Sequence, residues 1–570
     1  MNPIISFKNF SFKYRVQKRP TLKNINLDIY PGEKILICGP SGCGKSTMSS
    51  CINGLIPFSY KGEITGDLIV DGINTKESSI FDLSKHVGTV LQDSDAQFIG
   101  LTVAEDIAFS LENDCVPQNE MFKIVDKVAN SLNLKSLLSY APNELSGGQK
   151  QRVGLAGITV NDVPILLFDE PLANLDPSTG KQTIELIDEI NKNDHKTIII
   201  VEHRLEDVLY KHVDRIVLMN DGEIQTILSP NELLPLDYLS KVGVREPLYV
   251  TALKYAGLKL TKDNKLESIE TLTLSNEDKK KVKDFYLSVK PKEKIINDQT
   301  ILETKNLSFR YNEKKLVLDN INFKINTGEM ISIVGQNGAG KSTFSKVICA
   351  FENGAKGDIY YLGNNINDLS IRERAKKIGY VMQNPNQMIV ENMIYDELAL
   401  GLRNNGYKEE EIKEKIEATL KTCGLYEYRN WPINALSYGQ KKRVTIASIL
   451  VMGPSVIILD EPTAGQDFKH YTDIMDFLKK INEEGITIIM ITHDMHLMLE
   501  YTDRAIVFTN GKIIADTKSS IVLCDDELIE KSNLKKTSLF DLAKICDIED
   551  PIKFIDSFIQ VDKEVRNHES

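Results

Sequence analysis

The sequence predicts an α/β fold that occurs twice along the chain, and three observations carry this prediction. The strings GPSGCGKST at Gly39–Thr47 and GQNGAGKST at Gly335–Thr343 both fit GxxxxGK[ST], a loop whose backbone N–H groups surround phosphates. Each string follows a short apolar run of strand length, Ile35–Cys38 or Met330–Val334. Further motifs then recur in the same order after each loop. The chain is therefore expected to hold two nucleotide sites.

The residue types of the two loops suit a polyphosphate. Glycines let the backbone approach the phosphates, and the following helix directs its positive end at their charge. Lys45 and Lys341 add a mobile cation, while Ser46 and Ser342 supply a hydroxyl for Mg²⁺. An ordinary glycine turn is the alternative for a single loop, and two matches disfavour it. ATP and Mg²⁺ are the expected cofactors. The predicted contacts are Gly39, Pro40, Ser41, Gly42, Cys43, Gly44, Lys45, Ser46, Thr47, Gly335, Gln336, Asn337, Gly338, Ala339, Gly340, Lys341, Ser342 and Thr343.

The composition excludes several classes of protein. A chain of 570 residues is too long for one core, and its 42% hydrophobic and 26% charged residues are typical of globular domains. The longest apolar runs, such as Thr197–Val201 and Ile486–Ile491, are far shorter than the roughly 20 residues of a membrane helix. No secretion signal is recognisable, so a cytoplasmic location is expected. The net charge of −12 argues against general nucleic-acid binding, and eight scattered cysteines without a CxxC pair predict reduced thiols.

Four pairs of strings place the two halves of the chain in register. They are VLQDSDAQ (from Val90) and VMQNPNQM (from Val381), LSGGQKQRV (from Leu145) and LSYGQKKRV (from Leu436), PILLFDEPLANLD (from Pro164) and SVIILDEPTAGQD (from Ser455), and IIIVEHRLEDV (from Ile198) and IIMITHDMHLM (from Ile488). The continuous apolar runs Ile165–Phe168 and Val456–Leu459 suit strands buried on both faces of a parallel sheet. We expect domains at 1–228 and 298–516, an appended subdomain with a linker at 229–297, and a C-terminal extension at 517–570.

This ordered motif set resembles that of the ABC ATPases, and the resemblance covers both halves. It implies two P-loop NTPase domains, each with a RecA-like core, a helical signature subdomain and an antiparallel β subdomain, that hydrolyse ATP. In this family ATP lies between the phosphate loop of one domain and the signature of the other. The Lys341 site would then be completed by Ser146, Gly147, Gly148 and Gln149, and the Lys45 site by Ser437, Gly439 and Gln440. Tyr438 replaces the first glycine of the second signature, so the sequence predicts two competent but unequal sites.

The resemblance also assigns roles around the phosphates. Asp169 and Asp460 end buried strands, where a carboxylate can hold magnesium, and Glu170 and Glu461 follow as the residues that polarise water. A capped strand end is the alternative for these pairs. The predicted catalytic residues are Glu170, Glu461, the switch histidines His203 and His493, and the glutamines Gln92 and Gln383. The predicted metal ligands are Ser46, Gln92, Asp169, Ser342, Gln383 and Asp460.

Two tyrosines are expected to contact the adenine. Tyr14 and Tyr311 precede their phosphate loops by about thirty residues, where this family places an aromatic ring against the base. Stacking tolerates any base because every base offers a π face. The alternative is that each ring only packs within its strand.

The segments after Gln92 and Gln383, together with VEHRLEDV and REPLYVTALKYAG, resemble the ATPases of energy-coupling-factor importers for vitamins, cobalt and nickel. A second glutamine recurs in these segments, as Gln97 and Gln387. The resemblance implies a peripheral subunit on the cytoplasmic face of the cell membrane, driving a transmembrane scaffold (T) subunit and a substrate-binding (S) subunit. The fused halves suggest a thiamine or thiamine-precursor system. Scaffold arginines would meet the acidic residues Glu105, Asp106, Asp396 and Glu397, although acidic residues also favour helix N-termini.

Three other functions remain open at this point. A twin-ATPase translation factor acting on ribosomes usually has a long basic linker and a PTNHLD-like loop, whereas this chain has PLANLD and PTAGQD. The fused ATPase of a sugar importer commonly has one eroded site, whereas both catalytic glutamates are present here. A DNA-repair ATPase of the same superfamily is disfavoured because zinc-type cysteine sets are missing.

Overall fold

The computed structural model describes residues 2–91, 97–173, 175–290, 297–311 and 316–569. The chain divides into two compact units. The first comprises Met1–Asp284 with Asp467–Lys469, and the second comprises Phe285–Gln466 with His470–Ser570. Each unit contains one phosphate loop.

Twenty strands are described in these ranges. They are β1 Ile5–Tyr14, β2 Leu22–Ile29, β3 Lys34–Cys38, β4 Gly62–Val70, β5 Ile73–Asn74, β6 Val87–Val90, β7 Ile165–Asp169, β8 Thr197–Val201, β9 Arg215–Asn220, β10 Glu223–Leu228, β11 Thr300–Phe309, β12 Leu318–Asn326, β13 Met330–Gly335, β14 Lys356–Tyr361, β15 Asn364–Asn365, β16 Ile378–Val381, β17 Val456–Asp460, β18 Thr487–Ile491, β19 Arg504–Thr509 and β20 Lys512–Thr517.

The α-helices follow in chain order. They are α1 Lys45–Ile52, α2 Leu55–Phe58, α3 Ile80–Ser84, α4 Val103–Asn113, α5 Gln118–Ser131, α6 Gly147–Thr159, α7 Pro177–Asp194, α8 Leu205–Val208, α9 Pro230–Leu233, α10 Tyr238–Lys241, α11 Leu248–Tyr255, α12 Asn276–Ser288, α13 Lys341–Ile348, α14 Ile371–Ala375, α15 Ile394–Asn404, α16 Glu409–Thr422, α17 Tyr438–Leu450, α18 Phe468–Glu483, α19 Met495–Tyr501, α20 Ser519–Val522, α21 Asp526–Ser532, α22 Ser538–Ile545 and α23 Pro551–Glu569. Within the described ranges, no helix has both the length and the apolar character that crossing a membrane requires.

Each unit contains a six-stranded sheet and a four-stranded antiparallel sheet. The six-stranded sheets have the orders β10-β9-β3-β8-β7-β6 and β16-β17-β18-β13-β19-β20, and all their pairs are parallel except the outermost hairpin, β9–β10 or β19–β20. The four-stranded sheets have the orders β2-β1-β4-β5 and β12-β11-β14-β15. The predicted α/β fold with two phosphate-loop domains is thereby confirmed.

The central strands are apolar because both of their faces are covered. The sequences KILIC of β3 and TIIIV of β8 are buried at every position, and so are the first four residues of β7, ILLF. In the pairing, Ile37 lies opposite Val201, and Val201 lies opposite Asp169. The carboxyl ends of β3, β8 and β7 therefore meet at one edge of the sheet.

Helices form a separate arm in each unit. In the first unit α4 packs against α5 and α6, and in the second α15 packs against α16 and α17. These helices are amphipathic: α4 buries Val103, Ile107 and Leu111 at helical spacing and leaves its other face towards solvent. The arms correspond to the expected helical signature subdomains.

The segment after β10 forms a small helical subdomain, here called the appended subdomain, that spans α9 to α12. The hydroxyl of Tyr249 donates to the carbonyl oxygen of Leu266 at 2.6 Å inside it. Its contacts with the core of the first unit include two hydrogen bonds from backbone N–H groups. The N–H of Leu248 donates to Oε2 of Glu206 at 2.8 Å, and the N–H of Val213 donates to Oε1 of Glu267 at 3.0 Å.

The C-terminal helices α20 to α23 belong to the second unit. Arg566 on α23 pairs with Glu500 on α19 at 3.0 Å and with Asp562 at 2.7 Å. Both carboxylates are buried, so the guanidinium compensates two charges at once and fixes the last helix against α19.

A buried ion pair fixes the start of the phosphate-loop strand in the first unit. Nζ of Lys34, the first residue of β3, contacts Oδ1 of Asp188 on α7, and both side chains are almost fully buried. Lys192, one turn further along α7, contacts the other carboxylate oxygen at 2.8 Å. The pair therefore joins the central strand to a covering helix.

We predict that Asp188→Ala destabilises the first unit by about 3–5 kcal/mol, because it leaves the Lys34 ammonium buried without its carboxylate. Calorimetry of the full chain should show the first unfolding transition at a lower temperature. Asp194→Ala, at the exposed end of the same helix, is the control and should change stability by about 0.5 kcal/mol or less. Equal transition temperatures for the two variants would contradict the prediction.

Candidate active site

The phosphate loop of the first unit connects the end of β3 to the start of α1. Nζ of Lys45 donates to the carbonyl oxygens of Gly39 at 2.8 Å and Pro40 at 2.9 Å, and the side chain is buried. A Cβ on Gly39 would lie 2.2 Å from the carbonyl oxygen of Met219, so only glycine fits this position. The loop thus holds its ammonium group in place beside the N-terminus of α1, where backbone N–H groups favour an anion.

The second unit repeats this arrangement. Nζ of Lys341 donates to the carbonyl oxygens of Gly335 at 2.7 Å and Gln336 at 2.9 Å. A Cβ on Gly335 would lie 2.0 Å from the carbonyl oxygen of Phe508. In both units, therefore, the first glycine of the loop packs closely against the backbone of the neighbouring strand, β9 or β19.

The two predicted adenine-contacting tyrosines lie next to the phosphate loops. The hydroxyl of Tyr14 is 3.2 Å from Oγ1 of Thr47, and that of Tyr311 is 3.3 Å from Oγ1 of Thr343. The ring of Tyr14 packs edge-on against Phe12 in the strand. Their proximity to the loops agrees with a base-contacting role, which stays a prediction.

Both predicted catalytic glutamates have an unusual backbone. Glu170 has a φ of 51° and Glu461 a φ of 45°, in the left-handed region that costs a residue other than glycine about 1–3 kcal/mol. Each N–H is bonded to the neighbouring strand: Glu170 donates to Val201 at 2.8 Å and Glu461 to Ile491 at 2.9 Å. Strain of this kind concentrates at functional sites, and the sequence motif alone did not reveal it.

The switch histidines contact these glutamates. Nε2 of His203 lies 2.8 Å from Oε1 of Glu170, whereas Nε2 of His493 lies 3.5 Å from Oε1 of Glu461. A carboxylate accepts hydrogen bonds only, so the short contact in the first unit requires the proton on Nε2. The structure brings the predicted glutamate and histidine together in both halves, more tightly in the first.

The end of β7 suits a magnesium ion. Oδ1 of Asp169 is buried and has no hydrogen-bond partner within the described residues, a state that a cation explains. Burial, and then the charge of Glu170, raises the pKa of Asp169 to about 6, while a hydrogen bond from Ser46 lowers it. Ser46 and Asp169 would hold Mg²⁺, which supplies positive charge to the phosphates when bound. Gln92, the third predicted ligand, lies outside the described residues.

The second unit differs at the same place. The hydroxyl of Tyr380 donates to Oδ2 of Asp460 at 2.8 Å. The strand pairing of β16 and of β6 shows that the residue equivalent to Tyr380 in the first unit is Thr89. Burial raises the pKa of this tyrosine, so the hydroxyl keeps its proton and donates. Ser342 is the second residue of α13, and Gln383 follows β16 at the same sheet edge as Asp460.

A buried lysine is a further feature that the sequence reading missed. Nζ of Lys442 on α17 donates to the carbonyl oxygens of Met382 at 2.8 Å and Gln383 at 2.7 Å. Burial lowers the pKa of Lys442 to about 8, whereas the negative charges of Asp460 and Glu461 act to raise it. The corresponding residue in the first signature is Gln151. Comparison of the two signatures would have marked this difference.

The recurring glutamines Gln97 and Gln387 do not take the same structural position in the two units. Gln97 accepts from the N–H of Leu91 at 3.2 Å and donates to the carbonyl of Thr89 at 3.1 Å. In the second unit the N–H of Met382 is instead 3.1 Å from Sδ of Met388. Met388 lies five residues after Gln383, as Gln97 lies five residues after Gln92, so methionine takes the structural position that a glutamine holds in the first.

Both signatures form capping boxes. The N–H of Gln149 donates to Oγ of Ser146 at 3.4 Å, and the N–H of Ser146 donates to the Gln149 side chain at 2.9 Å. Ser437 and Gln440 do the same at 3.3 and 2.9 Å. Gly147 and Gly148 begin α6, and Tyr438 and Gly439 begin α17, where the tyrosine is 44% exposed. The signature serine and glutamine thus fix a helix N-terminus, an anion-binding feature.

The four acidic residues expected to meet the scaffold have partners within the chain. Glu105 accepts from the N–H groups of Leu101 and Thr102, both at 3.0 Å. Asp106 and Glu397 likewise accept two N–H groups each from the preceding loop, and Asp396 is 3.3 Å from Arg403. Glu105, Asp106 and Glu397 therefore hold the loops before α4 and α15, whereas Asp396 pairs within its own helix. Glu105 is nevertheless exposed.

A phosphate loop, a strand-end carboxylate pair and a histidine that meet at one sheet edge define a phosphate-loop ATPase. Comparison with known proteins supports this assignment to the phosphate-loop ATPases. The family model for ABC transporters matches residues 22–173 and 318–464. A second model, described as an ATP-binding cassette cobalt transporter, matches residues 236–309.

Close relatives span the whole chain. A protein named as an ABC transporter ATP-binding protein in Clostridium perfringens is 60% identical over 564 residues, 99% of each chain. One from Enterococcus faecalis is 55% identical over 566 residues, again 99% of each. A solved structure of cbiO1 from Clostridium perfringens, part of the ABC transporter complex cbiONQ, is 34% identical and covers 44% of this chain and 99% of that one, with a TM-score of 0.39.

The chain belongs to the family of ABC transporter ATP-binding proteins. It is the ATP-binding component of an ABC transporter, and its two cassettes hydrolyse ATP with Mg²⁺ as the usual cofactor.

We predict unequal contributions from the two cassettes. Glu170→Gln and Glu461→Gln should each lower hydrolysis at the affected site by about 10²- to 10⁴-fold, because each removes the carboxylate that is predicted to polarise water. The remaining steady-state rate should be lower in Glu170→Gln, since the contact between His203 and Glu170 is the shorter one. The measurement is phosphate release from the full chain, with Glu223→Gln on the exposed hairpin as control. Equal residual rates would indicate equivalent sites.

Proposed function

We propose that this chain is the energy-coupling ATPase of an energy-coupling-factor importer. The observation that carries the proposal is the match of residues 236–309 to a model described as an ATP-binding cassette cobalt transporter. That region includes most of the appended subdomain, α10 to α12, and lies outside the two stretches that match the ABC transporter model. The proposed cargo is a vitamin, with thiamine or its pyrimidine precursor as one choice, or cobalt or nickel.

The attachment of the appended subdomain supports a role in coupling. Glu206, which accepts from Leu248, lies three residues after the switch histidine His203. His212 contacts Glu267 at 2.7 Å just beyond α8. The appended subdomain therefore contacts the short helix that follows the switch and the segment just after that helix, so a displacement of the switch would reach it directly.

Exposed apolar side chains on the arms support contact with membrane subunits. Leu101 is 82% exposed and Ile99 63% exposed on the first arm, and Val390 is 75% exposed on the second. Each lies in the loop before α4 or α15, which the acidic residues described above hold in shape. Clustered exposed apolar residues mark interaction surfaces, and we propose that these loops receive the coupling helices of a T subunit.

The proposed cycle uses differential binding. Each ATP would contact a phosphate loop from one half and a signature from the other, Lys45 with Ser437 and Lys341 with Ser146. ATP would then favour a closed arrangement, and hydrolysis would release it. Glu170 and Glu461 polarise the attacking water in this scheme, and His203 and His493 orient them. Cargo binds to a separate S subunit, and this chain stays peripheral on the cytoplasmic face of the membrane.

We predict that the chain co-purifies from membranes with a T subunit and an S subunit, and that Glu105→Arg lowers this recovery. The substitution reverses an exposed charge and removes the acceptor that shapes the loop around Leu101. The measurement is affinity capture of the full chain from detergent-solubilised membranes, with the captured proteins identified and ATP hydrolysis recorded.

Glu112→Arg, exposed on the same helix, is the matched control and should leave recovery unchanged. Unchanged recovery with Glu105→Arg would count against the docking face. Sedimentation of the chain with ribosomes, and no membrane subunits in the capture, would overturn the proposed function in favour of a translation factor.

A further inference from the structure

Glu202 is a buried glutamate that is not among the predicted catalytic, nucleotide-binding or metal-binding residues. It lies between β8 and the switch histidine, and only 3% of its surface is exposed. Its own N–H donates to the carbonyl oxygen of Ile37, at the end of the phosphate-loop strand, at 3.3 Å. A buried carboxylate at such a place requires several hydrogen bonds to persist.

The side chain accepts hydrogen bonds from two different segments. Oε1 accepts from the N–H of His203 at 2.7 Å and of Arg204 at 3.2 Å. Oε2 accepts from the N–H of Leu172, two residues after Glu170, at 3.2 Å. One carboxylate thus joins the loop that carries the glutamate to the loop that carries the histidine.

We propose that Glu202 is a positioning residue for the first active site: by fixing both loops, it holds the side chains of Glu170 and His203 at their 2.8 Å contact. The left-handed backbone of Glu170 makes such support necessary, because a strained conformation persists only where its surroundings hold it. The hydrogen bonds that the Glu202 side chain accepts within the described residues come from backbone N–H groups of these two loops, so its effect falls on geometry rather than on nucleotide affinity.

The second unit has no glutamate at the position of Glu202. Thr492 stands at the position of Glu202. Its hydroxyl accepts from the N–H of Asp494 at 2.9 Å and lies 3.5 Å from Oε2 of Glu461. The histidine and glutamate of that unit are also further apart, at 3.5 Å. The inference therefore concerns the first site alone, and it depends only on ATP hydrolysis, not on the transported cargo.

A purely structural role for Glu202 makes a different prediction. If the carboxylate only stabilised the fold, its removal would lower the unfolding temperature without a specific loss of turnover. The appended subdomain offers a matched buried glutamate, Glu246, which pairs with Lys254 at 2.7 Å and takes no part in the active site.

The test uses the full chain in the Glu461→Gln background, where the first site supplies the turnover. Glu202→Ala should lower kcat for ATP by about 10- to 100-fold, as expected when reacting groups lose about 1 Å of alignment. KM should stay within about twofold, since the loss concerns the transition state rather than binding. Glu202→Gln keeps the length and one acceptor oxygen, so it should restore an intermediate kcat.

Glu246→Ala, in the same background, is expected to keep kcat while its unfolding temperature falls. If Glu202→Ala does not fold, Glu202→Gln decides, with a loss of kcat at constant KM supporting the proposal. If Glu202→Gln and Glu202→Ala both keep the kcat of the Glu461→Gln parent, the proposal is overturned. A parallel loss of kcat in Glu246→Ala would also overturn it, because any buried glutamate would then have the same effect.

Discussion

The parallel pairing of β3 with β8, and of β8 with β7, is the constraint on which the rest of the first unit depends. It places Ile37, Val201 and Asp169 side by side, so the phosphate loop, the carboxylate pair and the switch histidine all leave the sheet at one edge. Ligands of parallel sheets bind outside the carboxyl ends of the strands for this reason. The pairing of β13, β18 and β17 does the same in the second unit.

The two cassettes share this backbone but differ in the residues that support it. Where the first unit has Glu202, the second has Thr492, and where the first has Gln151, the second has the buried Lys442. Tyr380 adds a hydrogen bond on Asp460 that the first unit lacks at that register. The predicted catalytic residues are therefore of the same types in both halves, whereas their immediate surroundings are not. The predicted inequality of the sites is supported by these buried contacts as well as by Tyr438.

Sequence reasoning could predict the strands, and it could propose the catalytic residue types, because motifs and apolar runs are local. The run before Asp169 indicated a buried strand, and the structure has it as β7. Sequence reasoning could not predict the strained backbone of Glu170 or the contacts of Lys442 and Glu202, because these features depend on segments distant along the chain. The roles of the helical capping boxes were readable in LSGGQ, since serine and a glutamine three residues later are the usual signature of a helix start.

Uptake by a reconstituted complex tests the central claim most directly, namely that hydrolysis by these two cassettes drives import. The chain, co-purified with its membrane subunits and bound cargo, would be placed in vesicles with ATP and Mg²⁺ on the side of the cassettes. We predict that labelled cargo accumulates, and that accumulation stops in the double variant Glu170→Gln, Glu461→Gln while ATP still binds. Accumulation that persists in the double variant, or an absence of uptake despite full ATP hydrolysis, would contradict the account.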